Sequence, residues 1–350
     1  MTFHDIKVES VTRLTSNAVE IKFDIPEELK KEFSFNPGQY ISVDFNGIRR
    51  DYSICSSPLD DVWSVGVKSK PNGYVSTYLN NELKKGDTLR ISTPGGRFGI
   101  VSKPETPRTI LAFAAGSGIT PVLSIIKYTL QTEKQVHLNL FYCNRTPEET
   151  MFKDQIEELK KEFPNNFFPH WFFTRFKQDN PIYEGRLDAN KLNSILNELI
   201  SVQKIDEVLV CGPNQMINEI TDKFLENGVH EDNVHFELFT PPVTEKSHEQ
   251  QESNVNHPVE ITVELDGEIH EVVWDDPDKT LLDTVLDAGI DAPYSCKGGI
   301  CSSCMCRLEE GEVNLGENFV LTEEEIEEGI IVACCSKTKG VNVKINFDDI

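Results

Sequence analysis

The cysteines near the carboxyl end of this 350-residue chain constrain its fold more than any other feature. Cys296, Cys301 and Cys304 follow the spacing C-x4-C-x2-C, and Cys334 comes thirty residues after the third of them. Four thiolates with this spacing hold the two irons of a [2Fe-2S] cluster. The pair Gly298-Gly299 lies inside the motif, where the backbone must wrap closely around an inorganic core. The spacing therefore predicts a [2Fe-2S] cluster bound by these four cysteines.

Other uses of the cysteines fit the pattern less well. A structural zinc site usually takes two close pairs of ligands, whereas three of these cysteines are close and one is remote. Disulfides are not expected, because the chain has an odd number of cysteines, nine, and nothing marks it as secreted. Four cysteines have no partner motif, and we expect them to be small buried apolar residues: Cys55, Cys143, Cys306 and Cys335.

Length, charge and hydropathy limit the possible functions. The length favours two or three domains. The formal net charge of −24 argues against a nucleic-acid partner, because a phosphate backbone needs a basic face. Neither a signal segment nor a membrane span is evident, so we expect a cytoplasmic protein with no membrane partner and with reduced thiols.

The negative charge is concentrated near the carboxyl end. Residues 256–350 contain 22 Asp and Glu against 6 Lys and Arg. Such a segment can steer electron transfer towards a basic partner surface, although acidity also serves solubility.

Residues 1–104 favour an antiparallel β-barrel. Apolar and polar residues alternate at 19–23, 39–45 and 63–68, and turn residues such as Asn46-Gly47 separate these runs. Little helical periodicity is present in this segment. We therefore expect a small all-β domain.

One strand of this barrel has the composition of a flavin site. In Arg50-Asp51-Tyr52-Ser53, Arg50 and Tyr52 lie on the same face of the strand. A flat aromatic ring can cover a flavin while a guanidinium meets its phosphate and a hydroxyl approaches the reactive ring nitrogen. The alternative is an edge strand with a surface arginine.

A second part of the barrel favours phosphate binding. Gly73 opens a short helix that has Ser76 and Thr77 near its start. The backbone amides at such a helix start suit a pyrophosphate.

Residues 105–240 predict an α/β domain with a parallel sheet. The apolar run 109–115 is typical of a buried strand, and it leads through Gly116, Gly118 and Thr120 into an apolar helix. Strand, glycine turn and helix in this order favour a dinucleotide phosphate site, although the turn lacks the G-x-G-x-x-G fingerprint. Several residues follow predicted strands and should meet in one crevice at the carboxyl edge of the sheet: Gly116, Thr120, Asn144, Thr174 and Cys211.

The remaining sequence predicts a linker and a third domain. Residues 241–256 are polar and aperiodic, as is typical of a linker. Residues 257–350 predict an α+β unit, with a hairpin at Asp266-Gly267. A helix precedes the cluster loop, and a capping box starting at Thr322 opens another.

Taken together, these motifs resemble those of the ferredoxin-NADP reductase superfamily. The resemblance covers nearly the whole chain and is to flavin reductases with a carboxyl-terminal plant-type ferredoxin, a domain with a β-grasp fold. Within that group it points to oxygenase reductases such as the reductase subunits of phenylacetyl-CoA epoxidases. The motifs that carry it are Arg50-Asp51-Tyr52-Ser53, Gly73 to Ser76, 94–98, 116–121 and Cys211-Gly212-Pro213.

The resemblance implies roles for individual residues around the flavin. Tyr52 would stack on the isoalloxazine of FAD, and Ser53 would sit near its N5. Arg50 and Ser76 would hold the phosphates. Phe239 resembles an aromatic residue that closes the flavin site, and the alternative is a core aromatic.

The resemblance also implies roles around the nucleotide. Thr120 and Cys211 would bracket the nicotinamide, beside Gly212 and Pro213. Thr174-Arg175 stands where NADPH-using relatives carry a hydroxyl residue and an arginine, and Arg145 is a second candidate for the 2′-phosphate.

The sequence therefore predicts an NADPH-dependent reductase that passes electrons through FAD and a [2Fe-2S] cluster to an oxygenase or similar protein. NADH remains possible as the donor. One alternative is an FMN- and NADH-dependent dioxygenase reductase. Another is a non-catalytic redox carrier or sensor.

Overall fold

The computed structural model describes residues 2–200, 205–241 and 258–350. The described residues form two compact units, 2–239 and 240–350. The predicted linker 241–256 lies outside the described residues except for its first residue. Within the described ranges, no helix combines the length and the apolar character needed to span a membrane.

The first unit opens with an antiparallel sheet of six strands in the order β4-β3-β6-β1-β2-β5. A bridge between Ile54 and Val65 joins the end of β4 to β5 and closes the sheet into a barrel, as the sequence predicts. The β3–β4 turn at Asn46-Gly47 has φ values of 54° and 77°, the left-handed conformations that a two-residue hairpin needs. The elements are β1 (Phe3–Thr15), β2 (Ala18–Asp24), β3 (Tyr40–Phe45), β4 (Ile48–Ser53), β5 (Trp63–Lys68), α1 (Tyr74–Asn81) and β6 (Thr88–Ser92).

The same unit continues with a parallel sheet of five strands in the order β11-β10-β7-β8-β9. Every neighbouring pair in this sheet is parallel, which confirms the predicted α/β architecture. The elements are β7 (Arg108–Ala115), α2 (Ile119–Thr132), β8 (Val136–Asn144), α3 (Lys153–Glu162), β9 (Phe167–Phe173), α4 (Ala189–Glu198), β10 (Glu207–Cys211), α5 (Asn214–Glu226) and β11 (Val234–Glu237).

The barrel and the parallel sheet share buried contacts. One hydrophobic cluster joins Ala18 and Cys55 of the barrel to residues of α2 and β7. Polar contacts reinforce it, since Ser124 donates from its hydroxyl to the Ser56 carbonyl at 2.6 Å. A shared core of this kind fixes the two sheets relative to each other.

The second unit is an α+β fold around a mixed sheet in the order β13-β12-β18-β14-β16. The first hairpin matches the prediction, because β12 and β13 pair up to Leu265 and Glu268 around Asp266-Gly267. The capping box at Thr322 is also present. The elements are β12 (Val259–Leu265), β13 (Glu268–Trp274), α6 (Leu281–Asp287), β14 (Met305–Glu310), β15 (Val313–Asn314), α7 (Glu323–Glu327), β16 (Ile330–Val332), β17 (Lys337–Thr338) and β18 (Val343–Asn346).

Two helix starts are set by the backbone before them. Helix α2 starts at Ile119, directly after the glycine turn Gly116–Gly118. Helix α3 starts at Lys153, because Phe152 before it has a φ of 58° and cannot continue a helix.

Candidate functional site

The predicted flavin strand is β4, which lies at one edge of the barrel sheet and pairs with β3. Ser53 is buried at its end, Tyr52 is partly buried and Arg50 is exposed. The Arg50 guanidinium donates to the Arg49 carbonyl at 2.6 Å. The strand therefore combines an accessible cation with a sheltered ring and hydroxyl, as a flavin site needs.

The predicted phosphate turn lies at the start of α1. Gly73 is the N-cap, and no side chain of the described residues caps this end of the helix. The Ser76 hydroxyl accepts from the Lys70 amide at 3.1 Å and donates to the Gly73 carbonyl at 3.3 Å. The hydroxyl is thus engaged within the turn. The backbone amides at the start of this turn are better placed to meet a phosphate than the Ser76 side chain, whereas the Thr77 amide already donates to the Gly73 carbonyl at 2.9 Å.

The predicted nucleotide turn packs tightly against the end of β10. A β-carbon added at Gly118 would overlap the Cys211 carbonyl oxygen, so only glycine fits. Gly116 has a φ of 56°. Thr120 is buried and donates from its hydroxyl to the Ser117 carbonyl at 2.9 Å. The start of α2 and the end of β10 therefore form one surface.

Gly212 and Pro213 lead from β10 into α5. A β-carbon at Gly212 would lie 2.5 Å from Cε of Met216 and 3.1 Å from Cβ of Ala115. Pro213 is the N-cap of α5. This turn approaches β7 so closely that a side chain at position 212 would separate them.

A carboxyl group joins the flavin strand to the parallel sheet. Cys211 pairs with Glu237 of β11 in the sheet register. The Ser53 hydroxyl donates to Glu237 Oε2 at 3.1 Å. Ser53 and Cys211, which the resemblance puts beside the flavin N5 and the nicotinamide, are thus brought to the same carboxyl group. Glu237 was not predicted as a site residue from the sequence, although Phe239, two residues later, was.

The electrostatics at this carboxyl are unusual. The pKa of Glu237 is raised to about 8, chiefly by burial; the hydrogen bond from Ser53 acts against this rise and the charge of Asp51 contributes to it. Burial also raises the pKa of the Cys211 thiol, with Glu237 adding to the shift. Near neutral pH the site therefore holds a protonated carboxyl and a protonated thiol.

Phe239 follows two residues after Glu237 and is 40% exposed. It is not a core aromatic, so that alternative is wrong. An exposed ring at the end of the nucleotide sheet is available to cover a flat ligand.

Arginines gather where β8 and β9 end. The amide of Thr174 donates to the Asn144 carbonyl at 3.0 Å, and that of Arg175 donates to the Arg145 carbonyl at 2.9 Å. These hydrogen bonds continue the pairing of β8 and β9 beyond the ends of the two strands, and they set Arg145 and Arg175 side by side. Both side chains are exposed.

Two cations near this edge were missed from the sequence. The Gly185 amide donates to the Phe173 carbonyl at 2.9 Å, which brings Arg186 to the end of β9. The ammonium of Lys68, at the end of β5, would lie 3.9 Å from a β-carbon at Gly116. Burial lowers the pKa of Lys68, Glu149 opposes that shift and Arg145 adds to it. Only the order of the folded strands reveals either residue as a neighbour of the nucleotide turn.

The predicted cluster cysteines come together in the second unit. The thiols of Cys296 and Cys301 are 3.0 Å apart, and the Gly298 amide donates to Cys296 Sγ at 3.3 Å. The Ala333 amide donates to the Cys304 carbonyl at 3.0 Å, which brings the segment of Cys334 to the loop.

A buried hydroxyl beside the loop fits a bound cluster. Ser295 precedes the first cysteine and is 4% exposed, and its Oγ has no hydrogen-bond partner among the described residues. Leaving such a group unpaired costs about 1–3 kcal/mol. Cluster sulfurs accept hydrogen bonds, so a [2Fe-2S] cluster would supply the missing acceptor.

No group of three or more His, Cys, Asp or Glu side chains in the described ranges is arranged to hold a single metal ion. A [2Fe-2S] cluster does not require one, because four thiolates are shared between its two irons. The close thiols and the amide aimed at sulfur are therefore better indicators of this cofactor than the geometry of a mononuclear site.

The remaining cysteines mostly agree with expectation. Cys55, Cys143 and Cys306 are buried. Cys335 is only half-buried, so its prediction as a buried apolar residue is wrong. It lies in the turn after β16, next to Cys334, and packs against the core of the second unit.

Three family models match the chain in the predicted order. An oxidoreductase FAD-binding domain matches residues 5–100, and an oxidoreductase NAD-binding domain matches 113–222. A 2Fe-2S iron-sulfur cluster binding domain matches 263–339.

Two relatives are similar over almost their whole length. A component of the 1,2-phenylacetyl-CoA epoxidase of Escherichia coli (strain K12) is 35% identical over 352 residues, which cover 99% of this chain and 98% of that protein. The 3-ketosteroid-9-alpha-monooxygenase, ferredoxin reductase component, of Rhodococcus rhodochrous is 33% identical over 359 residues, which cover 98% and 96%.

A solved structure shares the fold. Phthalate dioxygenase reductase, described as a modular structure for electron transfer from pyridine nucleotides to [2Fe-2S], has a TM-score of 0.60 and 24% identity. The match covers 99% of this chain and 98% of that one.

Proposed function

Since the chain belongs to the ferredoxin-NADP reductase superfamily and is an NAD(P)H-dependent reductase that uses FAD and a [2Fe-2S] cluster, we propose that it carries electrons from NADPH to an oxygenase component. In the proposed assignment, residues 1–104 bind the flavin, 105–240 the nucleotide and 257–350 the cluster. The ranges matched by the family models lie inside these three segments.

The contact between Ser53 and Glu237 carries this proposal. It joins the flavin strand of the barrel to the carboxyl edge of the nucleotide sheet, beside Cys211. When bound, the flavin accepts a hydride from the nicotinamide and supplies electrons one at a time to the cluster. A reductase of this kind needs the flavin ring and the nicotinamide ring next to each other. Ser53, Glu237 and Cys211 mark the proposed position of the two rings.

The protein's own residues position the reactants and hold protons. Tyr52 and Phe239 offer aromatic faces to the flavin, while Arg50 and the amides at the start of α1 meet its phosphates. Thr120 and Cys211 border the nicotinamide. The protonated Glu237 carboxyl keeps negative charge away from the flavin and fixes the Ser53 hydroxyl.

The cations at the ends of β8 and β9 favour NADPH. Arg145, Arg175 and Arg186 supply a positive edge for a 2′-phosphate, and Lys68 is placed to meet the pyrophosphate beside Gly116. NADH is the second candidate, because the Glu149 carboxylate lies 3.9 Å from the Arg145 guanidinium and could accept from ribose hydroxyls.

The electron acceptor is proposed to be an oxygenase component, since the relatives carry the names of an epoxidase component and of monooxygenase reductases. The acidic carboxyl-terminal segment favours a partner with a basic docking surface. The cytoplasm stays the proposed location, because cluster ligation needs reduced cysteines.

Nucleotide choice is tested with Arg175→Ala. The KM for NADPH should rise about tenfold to a hundredfold, because a hydrogen bond to a charged group contributes about 1.5–3 kcal/mol. The KM for NADH should change little. Lys177→Ala, which removes a neighbouring exposed cation, is the control. Equal effects of Arg175→Ala on both nucleotides would contradict the assignment of Arg175 to the 2′-phosphate.

A further inference from the structure

The second unit brings a fifth thiol to the predicted cluster site, although a [2Fe-2S] cluster uses four. Cys335 Sγ lies 3.7 Å from Cys334 Sγ. A β-carbon added at Gly299 of the cluster loop would lie 2.8 Å from Cys335 Sγ. The Cys335 thiol therefore borders both the fourth predicted ligand and the loop that carries the first three.

The backbone holds this thiol in place. The Cys335 amide donates to the Val332 carbonyl at 3.0 Å, which forms a turn directly after β16. A β-carbon at Gly316 would overlap the Cys335 carbonyl oxygen, so a second segment packs against the same peptide. Consecutive side chains of a strand point to opposite faces, but this turn brings both thiols to one side.

Cys306 is a cysteine of the same unit that has no predicted role in binding the cluster. It lies two residues after Cys304, is fully buried, and belongs to the hydrophobic core. Cys335 differs in being half-buried and in touching another thiol.

We propose that Cys335 is a reserve ligand that can replace Cys334 on the cluster iron. This inference rests on the proposed assignment of the four cluster cysteines. In the exchange, the bond from iron to Cys334 Sγ breaks and a bond from iron to Cys335 Sγ forms. The proton that Cys335 loses is balanced by one that Cys334 gains, and the iron keeps its oxidation state.

The test compares iron and sulfide content and the visible spectrum in full-length holoprotein variants. Cys334→Ala should keep most of the wild-type iron with a shifted spectrum, whereas the double variant with Cys335→Ala should lose nearly all of it. The matched control combines Cys334→Ala with Cys306→Ala and should behave like Cys334→Ala alone. Limited proteolysis with peptide mass mapping of residues 258–350 shows whether the second unit of each variant folds, because this unit has a core of its own.

Native alkylation gives a second readout. In wild-type holoprotein, iodoacetamide should label Cys335 and spare Cys334, and in Cys334→Ala it should spare Cys335. Loss of iron in Cys334→Ala equal to that in the Cys334→Ala, Cys335→Ala double variant would overturn the proposal. Wild-type protein without any cluster would instead overturn the proposed function.

Discussion

In the proposed assignment, the Glu237 carboxyl lies where hydride transfer brings negative charge to the flavin, since it accepts from Ser53 of the flavin strand. Its pKa is raised to about 8 mainly by burial, so the neutral form predominates at neutral pH. Ionisation at higher pH would set a buried negative charge beside Ser53 and Cys211. Under the proposed function, this titration would couple the rate of flavin reduction to pH.

The pH dependence of flavin reduction tests this role. In the wild type, the rate of flavin reduction by NADPH should decline as the pH rises through about 8, because the carboxylate opposes the incoming negative charge. Glu237→Gln should abolish this decline with pH and keep the rate of flavin reduction near the wild-type value at pH 6. Stopped-flow absorbance measures both. A variant profile that still declines with the wild-type midpoint would assign the titration to another group.

At the scale of elements, Gly118 decides how closely α2 approaches β10. Its φ of −61° is open to any residue, so the constraint is steric and not conformational. Gly118→Ala should weaken NADPH binding about tenfold or more and lower the melting temperature, because the added methyl group collides with the Cys211 carbonyl. Flavin content should be retained. Calorimetry and nucleotide titration measure the two effects.

Gly95→Ala is the control for that variant, since the nearest atoms to a β-carbon there lie at 3.9 Å, in ordinary contact. It should leave nucleotide binding unchanged. An equal loss of binding in both variants would contradict the account of Gly118.

A buried ion network fixes the amino ends of β7 and β10. The Arg108 guanidinium contacts Glu133 at 2.5 Å and Glu207 at 3.1 Å, and all three side chains are nearly inaccessible. Lys103 of the connector before β7 also reaches Glu207, at 2.9 Å. The network therefore ties the segment between the two sheets to the parallel sheet.

Arg108→Met should destabilise the first unit by about 3–5 kcal/mol, because it leaves the buried Glu133 carboxylate without its charged partner, whereas Glu207 keeps Lys103 and His235. Urea unfolding followed by flavin fluorescence measures the loss. Lys85→Met, which changes an exposed cation, should shift stability by no more than about 0.5 kcal/mol. Similar midpoints for Arg108→Met and wild type would contradict this role.

Short-range sequence patterns were enough to predict most helices and strands. Contacts between residues distant in sequence could be recognised only in the folded structure. The apolar run of β7, the Asp266-Gly267 hairpin and the Thr322 capping box follow rules of short range, and each is confirmed. Glu237 and Lys68 could not be recognised, because their neighbours are far away in sequence. The half-buried state of Cys335 likewise depends on a turn whose partners are Gly299 and Gly316.

At the scale of the whole molecule, chemistry is divided between two compact units. The first contains the barrel and the parallel sheet, which share a hydrophobic core and the Ser53–Glu237 contact. The second contains the four predicted cluster cysteines and has its own core. This division predicts that loss of the cluster leaves the flavin and nucleotide chemistry intact.

Anaerobic reduction of the wild type and of Cys304→Ser by NADPH tests that claim most directly. In the wild type, the flavin band should bleach and electrons should reach a one-electron acceptor such as cytochrome c. In Cys304→Ser, the flavin should bleach at a similar rate while transfer to the acceptor falls to near background. Loss of flavin bleaching together with transfer, or undiminished transfer without the cluster, would contradict the account.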